Sequence, residues 1–501
     1  MYETLTAAQM RAIEAEAIEA GSVTGLTLME RAGQGVVDAI RARWPDRAAA
    51  PGRALVLAGP GNNGGDGFVI ARLLKTAGWQ VDLFLFGSPE KLPPDAKANA
   101  QRWSELGETH DLEQALERGL DVARYELAID ALFGTGLTRP VALPLPDLSD
   151  GPAVVAVDIP TGLCADSGRR IGQGALMRAD LTVTFHARKL GHVLAEGPAA
   201  CGALVVHDIG LPSGGGETGL VTPDPRAFQK HQGHKYGHGH ALVLSGPATR
   251  TGAARLAARA ALRVGAGLVT LGAPRDAMAE CAAQLTAIML RDVEDGAALT
   301  EMLGDDRLNA LALGPGLGPD RARDLAIAAL EARRATVLDA DALTAFADDP
   351  DALFAQLHPA CVLTPHGGEF ARLFPDLADR LSAPAERGPA YSKLDATREA
   401  AARAGCTVLY KGMDTVIASQ TGAARIHCAA YDRAAPWLAT AGAGDVLTGL
   451  IAGLLARGLF PLTAASQAAW LHVEAARRFG PGLIAEDLPE TLPAVLRAQG
   501  A

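Results

Sequence analysis

The sequence predicts an α/β protein built from two doubly wound domains, and three observations carry that expectation. Apolar runs of strand length, ALVLAG and VDLFLF in the first half and ALVLSG and LVTLGA in the second, alternate with helix-length stretches, the pattern of βα units around a parallel sheet. Two glycine-rich loops suited to holding phosphate, GPGNNGGDG at residues 59–67 and ATAGAGDVLTG at residues 439–449, stand about 380 residues apart, each among its own strands and helices. Between the halves, LPSGGGETGLVTPDP (residues 211–225) concentrates Gly, Pro and Ser, the composition of a linker. The expected domains are residues 1–215 and 222–501.

A chain of 501 residues suggests two large domains or three small ones, each big enough for its own core. Hydrophobic residues make up 49% with only 5% aromatics, and there are 56 glycines, as expected of a soluble Ala-, Val- and Leu-rich α/β protein. A net charge of −11 argues against a nucleic-acid binder, which would carry a basic face. The start, MYETLTAAQMRAIEAEAIEAG, is acidic where a secretory leader needs a basic start and an apolar run, so a cytoplasmic protein is expected. The longest apolar stretch, residues 446–456, is about half of what spans a bilayer. Cys164, Cys201, Cys281, Cys361, Cys406 and Cys428 form no CxxC pair, which points to buried free thiols rather than disulfides or a zinc ribbon.

In the first half, ALVLAG (54–59) reads as a buried strand, FVIARLLKTAG (68–78) as a helix ended by glycine, and VDLFLF (81–86) as the next strand. Further strands are LAID ending at Asp130, VVAVD ending at Asp158, and LTVTF (181–185). Ligands bind beyond the carboxyl ends of such strands, so Asp130 and Asp158 are expected on the rim that also holds the glycine loop. LMERAG (28–33) belongs to an amphipathic helix expected to pack on this unit. Gly59, Gly61 and Gly64 satisfy GxGxxG, a weak signal alone. A pyrophosphate clamp does not need Asn62, Asn63 and Asp66, whereas a site for a cation and a polar ligand does; a tight turn held by Asx bonds is the other reading.

LMERAG, GPGNNGGDG, AIDALFGTG (128–136), VAVDIPTGL (155–163) and FHARKLG (185–191), in this order over about the first 210 residues, resemble the YjeF N-terminal family, the NAD(P)H-hydrate epimerases. The resemblance implies a Rossmann-like domain whose substrate is held by Asn62, Asn63, Gly64, Gly65 and Asp66 and by Gly134, Thr135, Gly136, Leu137, Thr138, Arg139 and Pro140. It also implies that Asp158 touches the reacting nicotinamide end and that Asn63, Asp130 and Thr161 ligate potassium, a hard cation suited by oxygen ligands. Lys189 is a candidate for an acid/base or phosphate role, with a solvated surface lysine as the alternative.

In the second half, ALVLSG (241–246) opens a sheet, followed by the helix AARLAARAALRVGAG (253–267) and the strand LVTLGA. GPGLG (314–318), ATVLDADAL (335–343) and CVLTPHGGEF (361–370) place Asp339, Asp341, His366 and Glu369 past strand ends. Asp339 and Glu369 fit equally as strand-end or helix-cap residues. In AGAGDVLTGLIAGLLARG, Gly442 and Gly444 free the amides at a helix start, whose positive dipole end attracts phosphate. Asp445 beside them fits a base acting on a hydroxyl next to an anion hole, or a helix N-cap. Gly449 and Gly453 are expected to allow close helix packing.

Together with KGMDTVIA (411–418), these motifs make residues from about 230 to 495 resemble the ribokinase-like NAD(P)H-hydrate dehydratases. The resemblance implies hydrate contacts from Ala253, Gly316, His366 and Asp445, and adenine-nucleotide contacts from Lys411, Gly412, Met413, Asp414, Thr415 and Gly444. It further implies ADP or ATP as co-substrate, Mg2+ with it, and a homo-oligomer. The chain departs from the usual pattern at Gly367, Thr344 and the HKYGHG start (234–239). His231, His234, His238 and His240 lie within ten residues, but fit no zinc spacing, and read as a polar entry to the second domain.

The two resemblances meet in one repair task. Water added to NADH or NADPH leaves a C6 hydroxyl in R or S configuration; an epimerase interconverts them and a nucleotide-dependent dehydratase removes the S form, with Asp445 and Asp158 as catalytic candidates. The alternatives are a ribokinase-like small-molecule kinase fused to a Rossmann-like regulatory domain, and a nucleotide-sensing interaction protein.

Overall fold

The computed structural model describes residues 2–500 and divides into two compact units. The N-terminal unit is Glu3–Glu217 with Ala383–Ser392; the C-terminal unit holds Thr218–Ser382 and the chain from Lys393 onward. The polypeptide therefore leaves the second unit for ten residues and returns to it.

The N-terminal unit is built on a parallel sheet ordered Thr109–Asp111, Gln80–Leu85, Arg53–Ala58, Leu127–Ala131, Ala153–Val157, Leu181–Phe185, Ala203–His207. The chain starts at the third position, winds outward to one edge, then returns and winds to the other. The switch point lies between Arg53–Ala58 and Leu127–Ala131, where doubly wound sheets form their ligand crevice. Every residue of Leu127–Ala131, Ala153–Val157 and Leu181–Phe185 is buried, which is why these strands read as continuous apolar runs rather than alternating ones. LMERAG lies on the helix Gly25–Arg43, capped by Thr24. There Gly33 admits Val69 of Asn62–Thr76 so closely that a Cβ would collide with it, Glu30 pairs with Arg72, and Arg31 donates to the Ile209 carbonyl at 2.7 Å.

The C-terminal unit repeats the winding: Met289–Asp292, Leu268–Ala273, His240–Leu244, Ala310–Leu313, Ala335–Leu338, Cys361–Leu363 and Thr407–Tyr410 are parallel neighbours in that order. Asp414–Ala418 and Ala424–Cys428 continue it as an antiparallel hairpin. Part of the expected linker is not a linker: Thr218–Leu220 pairs parallel with Ala424–Cys428, because a short segment can satisfy its backbone on an open sheet edge. The apolar helix Ala443–Ala456 is a core element, buried throughout from Val446 to Ala456. Gly449 and Gly453 let it approach Gly252–Arg263, where a Cβ would strike the Ala257 carbonyl and Val264. Burying its Leu450, Ile451 and Leu454 contributes roughly 1.5–3 kcal/mol each. Among the described residues no helix is long and apolar enough to cross a membrane. All six cysteines are buried thiols outside any disulfide.

Candidate active sites

At the N-terminal switch point the strand Arg53–Ala58 runs into Gly59, whose amide donates to the Ala131 carbonyl at 3.0 Å. Side chains do not fit here: a Cβ on Gly59 would collide with the Leu132 carbonyl, and one on Gly64 with the Gly59 carbonyl. The helix Asn62–Thr76 then begins, so Asn62 and Asp66 are four residues apart on one face.

Asp130 is fully buried beside that loop. Its carboxylate accepts from the Thr161 amide at 2.8 Å, the Thr161 hydroxyl at 2.6 Å and the Leu132 amide at 3.3 Å. Burial outweighs these bonds and pushes its pKa up to about 6. Asn63 completes the group: its Oδ1 lies 2.9 Å from where a Cβ on Gly134 would sit, and its Nδ2 is buried without a hydrogen-bond partner. Thr161 Oγ1 also accepts from the Phe133 amide at 3.1 Å. The structure thus gathers Asn63, Asp130, Thr161 and Gly134.

Asp158 stands in the left-handed region at φ 65°, an unfavourable conformation for a residue with a Cβ. Its Oδ1 accepts from Lys189 Nζ at 2.8 Å and Thr184 Oγ1 at 2.8 Å. Lys189 directs its other two protons to Thr184 Oγ1 at 2.9 Å and the Phe185 carbonyl at 3.0 Å. At 1% exposure, Lys189 is no solvated surface lysine; it is the buried countercharge of Asp158. Burial would raise the Asp158 pKa, but Lys189 pulls it below the ordinary carboxylate value. Asp66 is shifted the other way: burial, Asp158 and Glu14 push it well above the usual range. Burial and then Asp158 raise Glu14 as well. His192 holds the Asp158 carbonyl at 2.8 Å and is pushed down to about 4 by burial and Lys189.

Glu14, Thr184 and His192 were not singled out in the sequence. Glu14 sits on a separate helix, Ala7–Glu19, with no motif around it. Thr184 carried a faint signal, a hydroxyl inside the otherwise apolar LTVTF strand.

In the C-terminal unit, a Cβ on Gly246 would collide with the Gly316 carbonyl, so the loops after His240–Leu244 and Ala310–Leu313 meet at the second switch point. Gly316, at φ 73°, sits beside Ala253, whose Cβ would be 3.9 Å from a Cβ there. Asp339, 2% exposed, accepts from Lys411 Nζ at 2.7 Å and Thr448 Oγ1 at 2.7 Å. Lys411 also lies 3.7 Å from Glu369. Burial would lower the Lys411 pKa, but Asp339 and Glu369 raise it further.

Asp445 is not the helix N-cap. That place is taken by Gly442 at φ 85°, with no side-chain capping bond, because the chain must turn through the left-handed region to enter the helix. Burial and the neighbouring Asp339 raise the Asp445 pKa to about 6, against the pull of Lys411. Lys411 Nζ is also 3.9 Å from where a Cβ on Gly444 would be.

His366 caps the helix Gly367–Leu373: its Nδ1 accepts from the Gly368 amide at 2.9 Å and the Glu369 amide at 3.3 Å. The proton of the neutral ring therefore belongs on Nε2, 3.4 Å from Glu369. Glu369 is both cap and charge partner, since its Oε2 accepts from the His366 amide at 2.7 Å. Asp341 accepts from the Gly318 amide at 2.8 Å.

Around Lys411, Thr415 Oγ1 donates to the Gly412 carbonyl at 2.7 Å and Asp414 pairs with Lys393 at 2.7 Å, so both side chains serve the hairpin turn. Met413 is 46% exposed. Lys393 and Thr448 are further polar residues that the sequence did not flag. The histidines separate: His231 is exposed, His234 stacks on Tyr236, and His240 is buried with Nε2 2.7 Å from Thr270 Oγ1.

The family model described as NAD(P)H-hydrate dehydratase matches residues 241–493, and that described as YjeF-related protein N-terminus matches residues 25–191. The chain is 37% identical over 531 residues to the bifunctional NAD(P)H-hydrate repair enzyme of Moorella thermoacetica, covering 98% of this chain and 96% of that protein. It is 44% identical over 229 residues to an NAD(P)H-hydrate epimerase of Roseobacter litoralis, covering 42% of this chain and 100% of that protein. Among solved structures, the ADP/ATP-dependent NAD(P)H-hydrate dehydratase from Bacillus subtilis, co-crystallised with ATP and Mg2+, matches at a TM-score of 0.45 and 26% identity, over 56% of this chain and 95% of that one. With a relative of this identity aligned along nearly its whole length, the chain belongs to the bifunctional NAD(P)H-hydrate repair enzymes, an epimerase joined to a dehydratase.

Proposed function

We propose that the C-terminal unit dehydrates the S form of hydrated NADH or NADPH at Asp445, and that the N-terminal unit interconverts R and S at Asp66 and Asp158. The observation that carries the first assignment is a carboxylate with a raised pKa at a glycine-opened helix start, beside the Lys411–Asp339 pair. Asp445 takes the proton of the C6 hydroxyl as its oxygen attacks the terminal phosphoryl of the nucleotide. The amides at the helix start and Lys411 stabilise the charge of the transferring group. The ring nitrogen then expels phosphate and C5 loses a proton, which restores the dihydronicotinamide. With ADP the products are AMP and phosphate; with ATP, ADP and phosphate. Mg2+ would enter with the nucleotide phosphates, since it is usually bound through one or two carboxylates plus substrate phosphates. Ala253, Gly316 and His366 line the hydrate side, and the backbone from Lys411 to Thr415 with Gly444 the nucleotide side.

In the N-terminal unit the two carboxyls have pKa values driven apart, Asp66 upward and Asp158 downward, the pattern that separates an acid from a base. C6 of the hydrate carries both a hydroxyl and the ring nitrogen. Asp158 accepts the hydroxyl proton while Asp66 protonates the departing nitrogen; reclosure on the other face inverts the centre. Asn63, Asp130 and Thr161 suit potassium: the set is oxygen-rich, the buried Asp130 carboxylate has no countercharge among its hydrogen-bond partners, and the unpartnered Asn63 amide presents oxygen there if turned over. The ion would supply fixed positive charge that organises the loop.

The test is recovery of NADH absorbance from an R/S hydrate mixture with ADP or with ATP. Free phosphate and complete consumption of both epimers are expected. A stable phosphoester product would instead identify a small-molecule kinase.

A further inference from the structure

The ten residues Ala383–Ser392, encoded inside the dehydratase half, belong to the N-terminal unit, and their contacts converge on the loop that the proposed function assigns to the epimerase substrate. That loop lies in a stretch from Leu132 to Pro152 with no helix or strand, between Leu127–Ala131 and Ala153–Val157, longer than structural connections usually are. Within residues 134–140 the backbone bonds among the described residues are one internal turn, Leu137 amide to Gly134 carbonyl at 3.2 Å, and one external tie, Gly388 amide to Thr138 carbonyl at 3.1 Å. The external tie comes from the excursion.

The excursion is itself fastened. Arg169 donates to the Tyr391 carbonyl at 3.0 Å and, through its other terminal nitrogen, to the Ala383 carbonyl, so one guanidinium closes both ends. The Gly172 amide donates to the Ala385 carbonyl at 2.7 Å, and the Ala390 amide lies 3.4 Å from Cys164 Sγ. Ala385 and Ala390 pack with Cys164, Ile171 and Leu137 in one apolar cluster. Gly388 must stay small, because a Cβ would stand 2.9 Å from the Leu137 carbonyl and 3.2 Å from Ile171.

We propose that Ala383–Ser392 is a positioning strap for R/S interconversion: it sets residues 134–140 in the form that receives the hydrated dinucleotide, so epimerisation by this chain depends on a segment carried in its dehydratase half. The inference rests on residues 134–140 being the substrate loop.

The test uses the full chain. One variant replaces residues 385–390 with an equally long Gly/Ser segment; the milder ones are Gly388→Val, Arg169→Ala and Arg169→Lys. Readouts are R-to-S interconversion, dehydration of pure S hydrate, and hydrogen exchange at Leu137, Gly172 and Ala175, whose amides donate to the Gly134, Ala385 and Val141 carbonyls. We expect KM for the R hydrate to rise about tenfold or more with a smaller change in kcat, faster exchange at those three amides, unchanged exchange in Leu127–Ala131, and dehydration within about twofold of the parent. Arg169→Lys, which keeps one of the two ties, should fall between the parent and Arg169→Ala. Unchanged epimerase KM in the Gly/Ser and Gly388→Val variants would overturn the strap, as would equal loss of kcat and sheet protection, which marks general destabilisation. Failure of the parent chain to interconvert R and S would instead overturn the epimerase reading, and the exchange measurement would still report whether the segment holds the loop.

Discussion

Two carboxyls, the half-buried Asp445 and the fully buried Asp130, set the expectations at the residue scale. Asp445, raised to about 6 by burial and Asp339, must be ionised to take a proton, so dehydration should fall as pH drops through about 6 while nucleotide binding persists. Asp445→Asn should lower kcat by at least about 100-fold and leave epimerisation intact; ordinary nucleotide-dependent NADH release by this variant would remove the base from Asp445. Asp130, also raised to about 6, has the opposite bearing on stability. A carboxyl whose folded pKa lies above its unfolded one stabilises the fold at low pH, and that stability is lost as pH rises from about 4 to about 6. Without a cation the ionised group costs on the order of 3 kcal/mol above that window. Calorimetry should therefore show potassium raising the melting temperature more at pH 7 than at pH 5. Asp130→Ala should abolish that difference, weaken R/S interconversion and spare dehydration of pure S hydrate.

At the scale of elements, both units depend on backbones that touch. Gly449 faces the Ala257 carbonyl across the contact of Ala443–Ala456 with Gly252–Arg263, where a Cβ has no room. Gly449→Ala should destabilise by about 1–3 kcal/mol, read as a lower urea midpoint with unchanged slope for the transition of that unit. Because the same helix carries Asp445 at its start, the shifted helix should also lower dehydratase kcat. An unchanged midpoint would mean the two helices separate without cost. The switch-point loops obey the same rule: Gly59 and Gly246 are required because a neighbouring carbonyl occupies the space a side chain would take.

For the whole molecule, each unit has its own core and its own doubly wound run of parallel strands, so cleavage engineered between residues 213 and 217 should leave two folded pieces with separate melting transitions. The C-terminal piece should dehydrate S hydrate normally. The N-terminal piece lacks Ala383–Ser392 and should bind substrate worse than the intact chain. A piece without cooperative melting would refute its independence.

Much of this was legible in the sequence. Strand and helix positions could be read because doubly covered strands are short apolar runs and the helices carry glycine at their ends, and both effects are local. The glycine loops, Asp130, Asp158, Asp339 and Asp445 could be placed near strand or helix ends for the same reason. The partners of those carboxylates could not. Lys189 as the countercharge of Asp158, the pairing of Lys411 with Asp339, and Glu14 beside Asp66 join elements far apart in the chain, and no local pattern records which distant charges share a buried volume. The two units divide inside the expected linker, between Glu217 and Thr218, but composition reports flexibility and could not show that the edge of Ala424–Cys428 gives Thr218–Leu220 a partner. Local sequence thus determined the elements and the types of residue at their ends. Tertiary structure decided which ends meet, which carboxyls are pushed above and which below the ordinary carboxylate range, and that Ala383–Ser392 belongs to the first unit, because burial and electrostatic coupling depend on distances through space rather than along the chain.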